Sequence, residues 1–315
     1  MDRLEAMSMV LAVAEAGSLS AAARQQKAPL ATVSRKVSEL EAHLQAKLFN
    51  RSSRALVPTD AGRSYIAAAK RILADVAEAE RAASGEYTTP RGELNVSASM
   101  AFGRQYLQPV LAEFLVKFPD VDVHLGLEDR AVNLLEEHVD VALRLGALVD
   151  SSLIAVQIGE IGRVVCASPA YLKSRGTPKS PDDLSAHDCI SYPPMQSPTT
   201  WRFTQGESEY VVPVRSRLVV SNLESACDAA RAGIGIAEAF SYHVADSIKS
   251  GELTLLLRDY QPPAQPVSFV YSPNRFMPVK LRAFLDFALP RLRARMDDLS
   301  KSVAWQGRAG RHVPT

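Results

Sequence analysis

GSLSAAARQQKAPLATVSRKVSELEAHLQAKLFNRSSR, residues 17–54, holds two short helical patterns, a break at Pro29 and a basic turn at its end. In the second pattern Val33, Val37, Leu40 and Leu44 recur at i, i+4, i+7 and i+11, which gives one apolar stripe on a helix. At about 100° per residue, Ala31, Arg35 and Ser38 point away from that stripe, and Thr32, Ser34 and Lys36 flank it. A helix entering a major groove needs this set: small residues for close approach, short polar groups for base edges and cations for phosphates. The first pattern, Leu19 to Gln26, carries Ala21-Ala22-Ala23, whose small side chains let two helices cross closely at a short turn. Ahead of both, Leu4, Met7, Leu11 and Ala14 mark an opening helix that Gly17 ends.

A generic helical hairpin with a polar outer face would share part of this pattern, and charge weighs against it. Between Arg24 and Arg71 there are ten Lys or Arg and three acids, a local net of +7. The whole chain of 315 residues is only +1, so the remainder is −6. One cationic end on an otherwise acidic protein is the electrostatic footprint of nucleic-acid binding.

Residues 1–62 resemble the N-terminal domain of LysR-type transcriptional regulators. The resemblance is carried by Leu4, Ala14, Gly17-Ser18, Ala21-Ala22-Ala23, Val33-Ser34-Arg35, Leu40-Glu41, Leu44, Leu48-Phe49, Arg51 and Leu56-x-Pro58-Thr59-x-x-Gly62. It implies a winged helix-turn-helix in which Ser34 and Arg35 touch DNA, and a wing near Arg51 to Val57 from which Arg51 and Arg54 do so. Where many members open the recognition helix with a Ser-Gln-Pro-like stretch, this chain has Pro29-Leu30-Ala31. Pro29 suits a helix start, because the N–H it lacks has no partner there.

Thr59 and Asp60 are expected caps of a long helix running to about Ser84, before Gly85 and Pro90. Within it Tyr65, Ala69, Ile72, Val76, Ala79 and Ala83 are spaced as a heptad seam. Three heptads fit either a helix packed on its own domain or a seam between two chains. The family resemblance implies the second, a linker helix that makes a homodimer, with a tetramer left open.

Composition is that of an ordinary globular chain, 47% hydrophobic with 19 Pro and 16 Gly. No apolar run approaches the ~20 residues of a membrane helix, and Asp2, Glu5 and Glu15 interrupt any signal-peptide pattern, so a cytoplasmic protein without membrane association is expected. Cys166, Cys189 and Cys227 lack metal-site spacing; they read as buried thiols, with a redox role the lesser alternative.

From Gly92 onward short β and α segments alternate, which predicts parallel sheets flanked by helices. Expected elements include strands at 94–98, 121–125 and 139–145, a short helix Val132 to His138, a helix Leu107 to Phe118, and a closing helix Val279 to Leu292. Asp297 to Thr315 loses apolar periodicity and reads as a tail. This half resembles the family's effector-binding domain, similar in fold to periplasmic binding proteins, through Asp140-Val141-Ala142-Leu143-Arg144-Leu145-Gly146, Ser168-Pro169-x-Tyr171-Leu172, Pro181-x-Asp183-Leu184-x-x-His187 and Asn222 through Gly233-x-Gly235-Ile236. The expected architecture is therefore α/β: a winged helix-turn-helix (1–58), a linker helix (59–89) and a periplasmic-binding-protein-like domain (90–300) of two α/β subdomains, then a tail (301–315). Subdomain I comprises 90–162 and 267–300, subdomain II 163–266.

Ligands of open α/β sheets bind beyond the carboxyl ends of strands. That rule selects Ser99, Met100, Ala101 and Phe102 after the first strand, Glu128 after the second, Arg144 and Gly146 at the third, and Asn222 in the second unit, with Trp201 as an apolar wall. Ser99 and Asn222 have a second reading as helix caps, and Arg144 as an ion-pair partner. Enzyme readings find little: Gly233-x-Gly235 lacks the third glycine of a dinucleotide fingerprint, and the six histidines form no zinc pair. The expected function is an operator- or promoter-binding regulator, not an enzyme. It carries no metal or resident cofactor, responds to a small-molecule effector and has RNA polymerase as a further partner. A solute receptor and an enzyme on the same scaffold are the alternatives.

Overall fold

In the computed structural model, which describes residues 2–51, 56–84, 89–130, 133–134, 136–148, 152–195, 197–206, 208–273 and 277–303, the chain divides into two compact units, Met1–Thr89 and Pro90–Thr315.

The first unit opens with α1 (Arg3–Ala16), capped by the Asp2 carboxylate on the Leu4 and Glu5 N–H groups and closed by Gly17 in the left-handed region, φ +67°. Next come α2 (Leu19–Gln25), capped by Ser18, and α3 (Leu30–Leu44). β1 (Phe49–Arg51) and β2 (Leu56–Pro58) pair antiparallel as a short ribbon, and α4 (Asp60–Ser84) follows. Ala6, Val10, Val13, Ala22, Val33, Val37 and Leu40 form the core. The opening helix therefore buries a different face from the one expected through Leu4, which is 41% exposed. α1 is apolar on most sides, so periodicity does not choose a face, and its small residues allow the closest approach of its neighbours.

Two polar clasps fix the ribbon. Glu41, nearly buried on α3, accepts from the N–H groups of Leu48 (2.8 Å) and Phe49 (3.3 Å) and from Lys47 Nζ (3.0 Å). Burial alone would raise its pKa, yet these donors hold the carboxyl below its ordinary value. Thr59 Oγ1 donates to Lys47 O (2.6 Å) and accepts from Gly62 N (2.9 Å), so it caps α4. A Cβ at Gly62 would stand 1.9 Å from Leu48 O, so the Pro-Thr-x-x-Gly signature marks a helix start pressed against backbone.

The second unit contains β3 (Gly92–Ala98), the single turn α5 (Met100–Phe102), a π-helical turn Gly103–Leu107, α6 (Gln108–Lys117), β4 (Val121–Leu127), β5 (Val141–Leu145), β6 (Ile154–Ile161), β7 (Arg163–Ala167) and α7 (Pro169–Arg175). It continues with β8 (Asp188–Ser191), the hairpin β9 (Thr200–Gln205) and β10 (Ser208–Pro213), β11 (Arg215–Val219), α8 (Leu223–Arg231), β12 (Ile236–Phe240), α9 (Ser241–Lys249), β13 (Thr254–Leu256), β14 (Gln265–Tyr271) and α10 (Val279–Val303). Two five-stranded sheets result, in orders β4-β3-β5-β14-β6 and β11-β8-β12-β7-β13. Both are mixed, which corrects the expectation of parallel sheets. β14 runs antiparallel to β5 and β6, and β12 and β13 run antiparallel to β7.

Gly162 links the sheets between β6 and β7; its N–H donates to Ser241 Oγ (3.2 Å) and its carbonyl accepts from Ser241 N (2.8 Å). One continuous apolar core runs through both sheets, from Leu94 and Phe114 to Val164 and Ala237. Gly233, φ +78°, turns the chain after α8, and a Cβ at Gly235 would stand 2.3 Å from Asp188 O. That glycine pair serves a turn and a close approach of β8.

Two expectations, on residues 133–138 and on the closing helix, are corrected here. The described residues of 133–138 form turns rather than a helix. The hairpin around Trp201 is a separate two-stranded ribbon. The closing helix runs to Val303, past Leu292, because Met296, Leu299 and Val303 continue its buried face through the segment expected to be tail. Residues 304–315, with Trp305, lie outside the described residues.

Candidate DNA-reading surface and effector cleft

The N-terminal unit presents α3 with Ala31, Arg35 and Ser38 exposed and Thr32 and Ser34 half-buried. Arg35 is 68% exposed and reaches Glu39 at 4.0 Å. Lys36 departs from expectation: its side chain is only 15% exposed and its Nζ is paired to Glu5 of α1. Arg54, the Arg51 side chain and the Ala79 side chain lie outside what the structure describes. Arg51 itself ends β1 in the ribbon where a wing is expected.

The expected seam on α4 is also partly reassigned. Tyr65 packs half-buried against the core of its own unit, and Ala69 is fully buried. Ile72 is 41% exposed and Val76 half-buried.

In the second unit a cleft of about 560 Å³ opens between the two sheets. Ser99, Ala101, Glu128, Arg144 and Asn222, all expected site residues, line it. Phe102 stands behind the wall, fully buried, stacked on Tyr106 at 4.7 Å and edge-on to Tyr242 at 5.2 Å. Met100 points elsewhere, 52% exposed, while its N–H donates to Asp129 Oδ1 (3.0 Å). Gly146, φ +94°, gives its N–H to Pro266 O beside the lining residue Gln265. Trp201 is a correction: it is fully buried in a satellite core with Phe203 and Val212, and its indole N–H donates to Ser191 Oγ (3.2 Å).

The cap alternatives separate cleanly. Asn222 Oδ1 accepts from Ser225 N (2.8 Å), so Asn222 caps α8 while lining the cleft. Ser99 makes no side-chain cap bond to α5, and its hydroxyl is buried without a protein partner. Arg163 Nε and His243 Nδ1, on two other lining residues, are also buried without a close protein hydrogen bond, though the Phe240 backbone lies near enough to the His243 ring to act on it. Native interiors pair nearly all such atoms, with protein or with ordered water, so each of these three needs a partner from outside the protein chain.

Arg163, Tyr192, Phe240, Tyr242, His243 and Gln265 were not anticipated from sequence. The strand-end rule applied to the strand after Gly235 would have reached Phe240 to His243. Arg163 and Gln265 escape it because they begin β7 and β14, and only the antiparallel pairing brings those amino ends to the cleft.

Electrostatically the cleft is mixed. Arg130 pairs with Glu128 (2.6 Å) and with Glu137. Arg163 Nη2 donates to Glu238 Oε2 (2.8 Å) and to Met195 O (3.3 Å). Burial pushes Glu238 up to about 7 against the opposing pull of Arg163. Burial likewise takes His243 down to about 4, so its ring is neutral near pH 7. Desolvation lowers Arg144, and Glu128 and Glu137 counter it. The three thiols are buried, and burial raises Cys189 and Cys227 to about 12, the protonated and unreactive state.

Residues 4–63 match the bacterial regulatory helix-turn-helix protein model of the lysR family, and residues 88–293 match the LysR substrate binding domain. The chain belongs to the LysR family of transcriptional regulators. It is 34% identical to an HTH-type transcriptional repressor of Pseudomonas aeruginosa, over 92% of each chain. It is also 34% identical to the HTH-type transcriptional activator AaeR of Escherichia coli, over 91% of this chain and 93% of the relative. Among solved structures, CrgA of Neisseria meningitidis is 32% identical, covers 91% of this chain and 98% of its own, and superposes with a TM-score of 0.58. The full-length virulence activator AphB of Vibrio cholerae is 28% identical over the same shares, also with a TM-score of 0.58.

This LysR-type regulator therefore joins a helix-turn-helix DNA-binding domain to a regulatory domain that takes small-molecule effectors, and its function is regulatory rather than catalytic. Among the described residues no His, Cys, Asp and Glu cluster could hold a metal, and no single helix is long and apolar enough to cross a membrane.

Proposed function

We propose that this regulator docks α3 in the major groove of operator or promoter DNA through Ala31, Thr32, Ser34, Arg35 and Ser38, with Arg51 and Arg54 on the adjacent backbone. Two chains pair along α4 at Ile72 and Val76, so that two reading helices meet two half-sites. The assembly acts in the cytoplasm, and its output is read by RNA polymerase. The regulatory domain takes its effector in the cleft lined by Ser99, Arg144, Arg163, Asn222 and His243. The ligand shifts DNA engagement only by binding one arrangement of the sheets, or of the paired chains, better than another.

The observation that supports this reading is that Ser99, Arg163 and His243, each with a side-chain polar atom buried without a close protein hydrogen bond, all line one cleft. They suit a small polar molecule that presents acceptor oxygens to the serine hydroxyl and the guanidinium. The test is a thermal-shift screen of the full-length protein against small organic acids, followed by calorimetry of the best hit on wild type and Ser99→Leu. Filling the cleft at Ser99 should weaken binding at least tenfold, about the 1–3 kcal/mol of a lost buried hydrogen bond, and leave effector-free DNA binding unchanged. Equal affinity in the variant overturns the assignment of the cleft.

A further inference from the structure

The amino end of α3 carries an unusual surface for a helix that reads base edges. Pro29 occupies the cap position with no side-chain cap bond, and Leu30, the first helical residue, is 50% exposed. Ala31 is exposed as well, and the first hydroxyl, on Thr32, is half-buried. The strong cations stand later: Arg35 lies more than a turn along the helix and Lys36 is held by Glu5. The tip of the reading helix is thus apolar, without an amide, carboxylate or guanidinium to exchange hydrogen bonds with a base.

A scattered exposed leucine needs no explanation on an ordinary surface. This one occupies the first turn of a recognition helix, where the side chains that reach base edges in helix-turn-helix complexes are found. Along the major groove the C5-methyl of thymine is the apolar feature on offer, and it is read by van der Waals contact.

We propose that Leu30 and Ala31 determine operator specificity by packing against thymine methyl groups in each half-site. The proposal rests on the docking of α3 described above. It assigns the base preference at the helix tip to methyl burial rather than to hydrogen bonding. Arg35 then supplies the polar contact deeper along the helix. A methyl taken out of water is worth about a fourfold gain in affinity per contact, so the preference operates in both half-sites of a paired regulator.

The experiment uses full-length protein and a pool of randomised DNA duplexes at fixed salt. Selection should yield two half-sites, each with a thymine at a fixed place. Replacing only those thymines by deoxyuridine removes the methyl and keeps every hydrogen-bonding group. Wild-type affinity should fall about fourfold per half-site. Leu30→Gln should lose that penalty and shift the selected base toward adenine, which a glutamine reads with two hydrogen bonds, while the salt dependence stays as it was. If the enriched sites bind equally well with deoxyuridine, or if the penalty persists unchanged in both Leu30→Gln and Ala31→Ser, methyl reading is wrong and groove docking stands. If wild type enriches no sequence at all, docking of α3 fails and the proposal falls with it.

Discussion

The reading helix and the cleft solve opposite problems with similar side chains. On α3 the cation proposed to meet DNA is exposed: Arg35 lies 68% in solvent, with an acid four residues away. In the cleft Arg163 is only 19% exposed, paired to a buried glutamate, with one nitrogen left without a partner. DNA brings its own dense charge and counterions, so the protein gains most by offering hydrated cations that release those ions on contact. A small ligand brings few charges, so its site must hold dry, oriented groups whose unmet hydrogen bonds the ligand completes. The first design works over a broad surface and is salt-sensitive. The second depends on single atoms.

The largest effect that tests this contrast is Arg35→Ala. One lost base or phosphate contact costs about 1–3 kcal/mol, and a paired regulator loses two, so DNA affinity should fall at least thirtyfold in a gel-shift titration. Effector affinity, measured by calorimetry on the same preparation, should not move. Undiminished DNA binding would remove α3 from the interface and erase the distinction between the two regions.

Next in size is the pH response of the cleft. His243, depressed from 6.5 to about 4, is neutral in the folded protein, whereas the unfolded chain protonates it below about 6.5. Its contribution to stability is therefore lost as pH falls from 6.5 toward 4, by about 3 kcal/mol. Glu238, raised from 4.5 to about 7, works in the other direction: the folded protein holds its proton longer, so stability is lost as pH rises from 4.5 to 7, by a similar amount. In wild type the two slopes oppose each other between pH 4.5 and 6.5. Burial lowers His187 as well and adds to the His243 slope, so urea unfolding followed by tryptophan fluorescence should show a loss on acidification there that Glu238 partly offsets. Glu238→Gln should steepen that loss, and His243→Phe should reduce it. Parallel profiles for all three proteins would show that these groups do not titrate as buried residues.

How far each region is legible in the sequence follows from the same difference. The reading helix depends on local periodicity and exposed charge, so Val33, Val37 and Leu40 announce its buried face and Arg35 its outer one. Even there a tertiary contact hides: nothing in the spacing of Lys36 reveals Glu5. The seam on α4 illustrates a related limit, because a heptad pattern does not say whether α1 or another chain covers Ala69. The cleft is half legible. Ser99, Glu128 and Arg144 follow strands whose carboxyl ends the alternation of β and α segments locates. Arg163 and Gln265 depend on strand direction, which alternation does not encode, and Trp201 is drawn into a satellite core by its partner Ser191.

The smallest predicted effect would sharpen the contrast from the side of the DNA. Lys36 lies on a flank of α3, yet Glu5 neutralises it, so it adds little to the cationic face. Glu5→Ala releases that cation without touching the reading residues, and Asp2, which supplies the cap of α1, remains in place. One more free lysine near phosphates should raise affinity a few-fold at low salt and steepen the salt dependence by about one unit per chain. Lys36→Ala in the same background should return both to the wild-type level. If Glu5→Ala instead leaves the slope unchanged, Lys36 faces away from the backbone and its pairing with Glu5 serves only to dock α1 on α3. If it weakens binding, the clasp is what sets the angle at which α3 meets the groove.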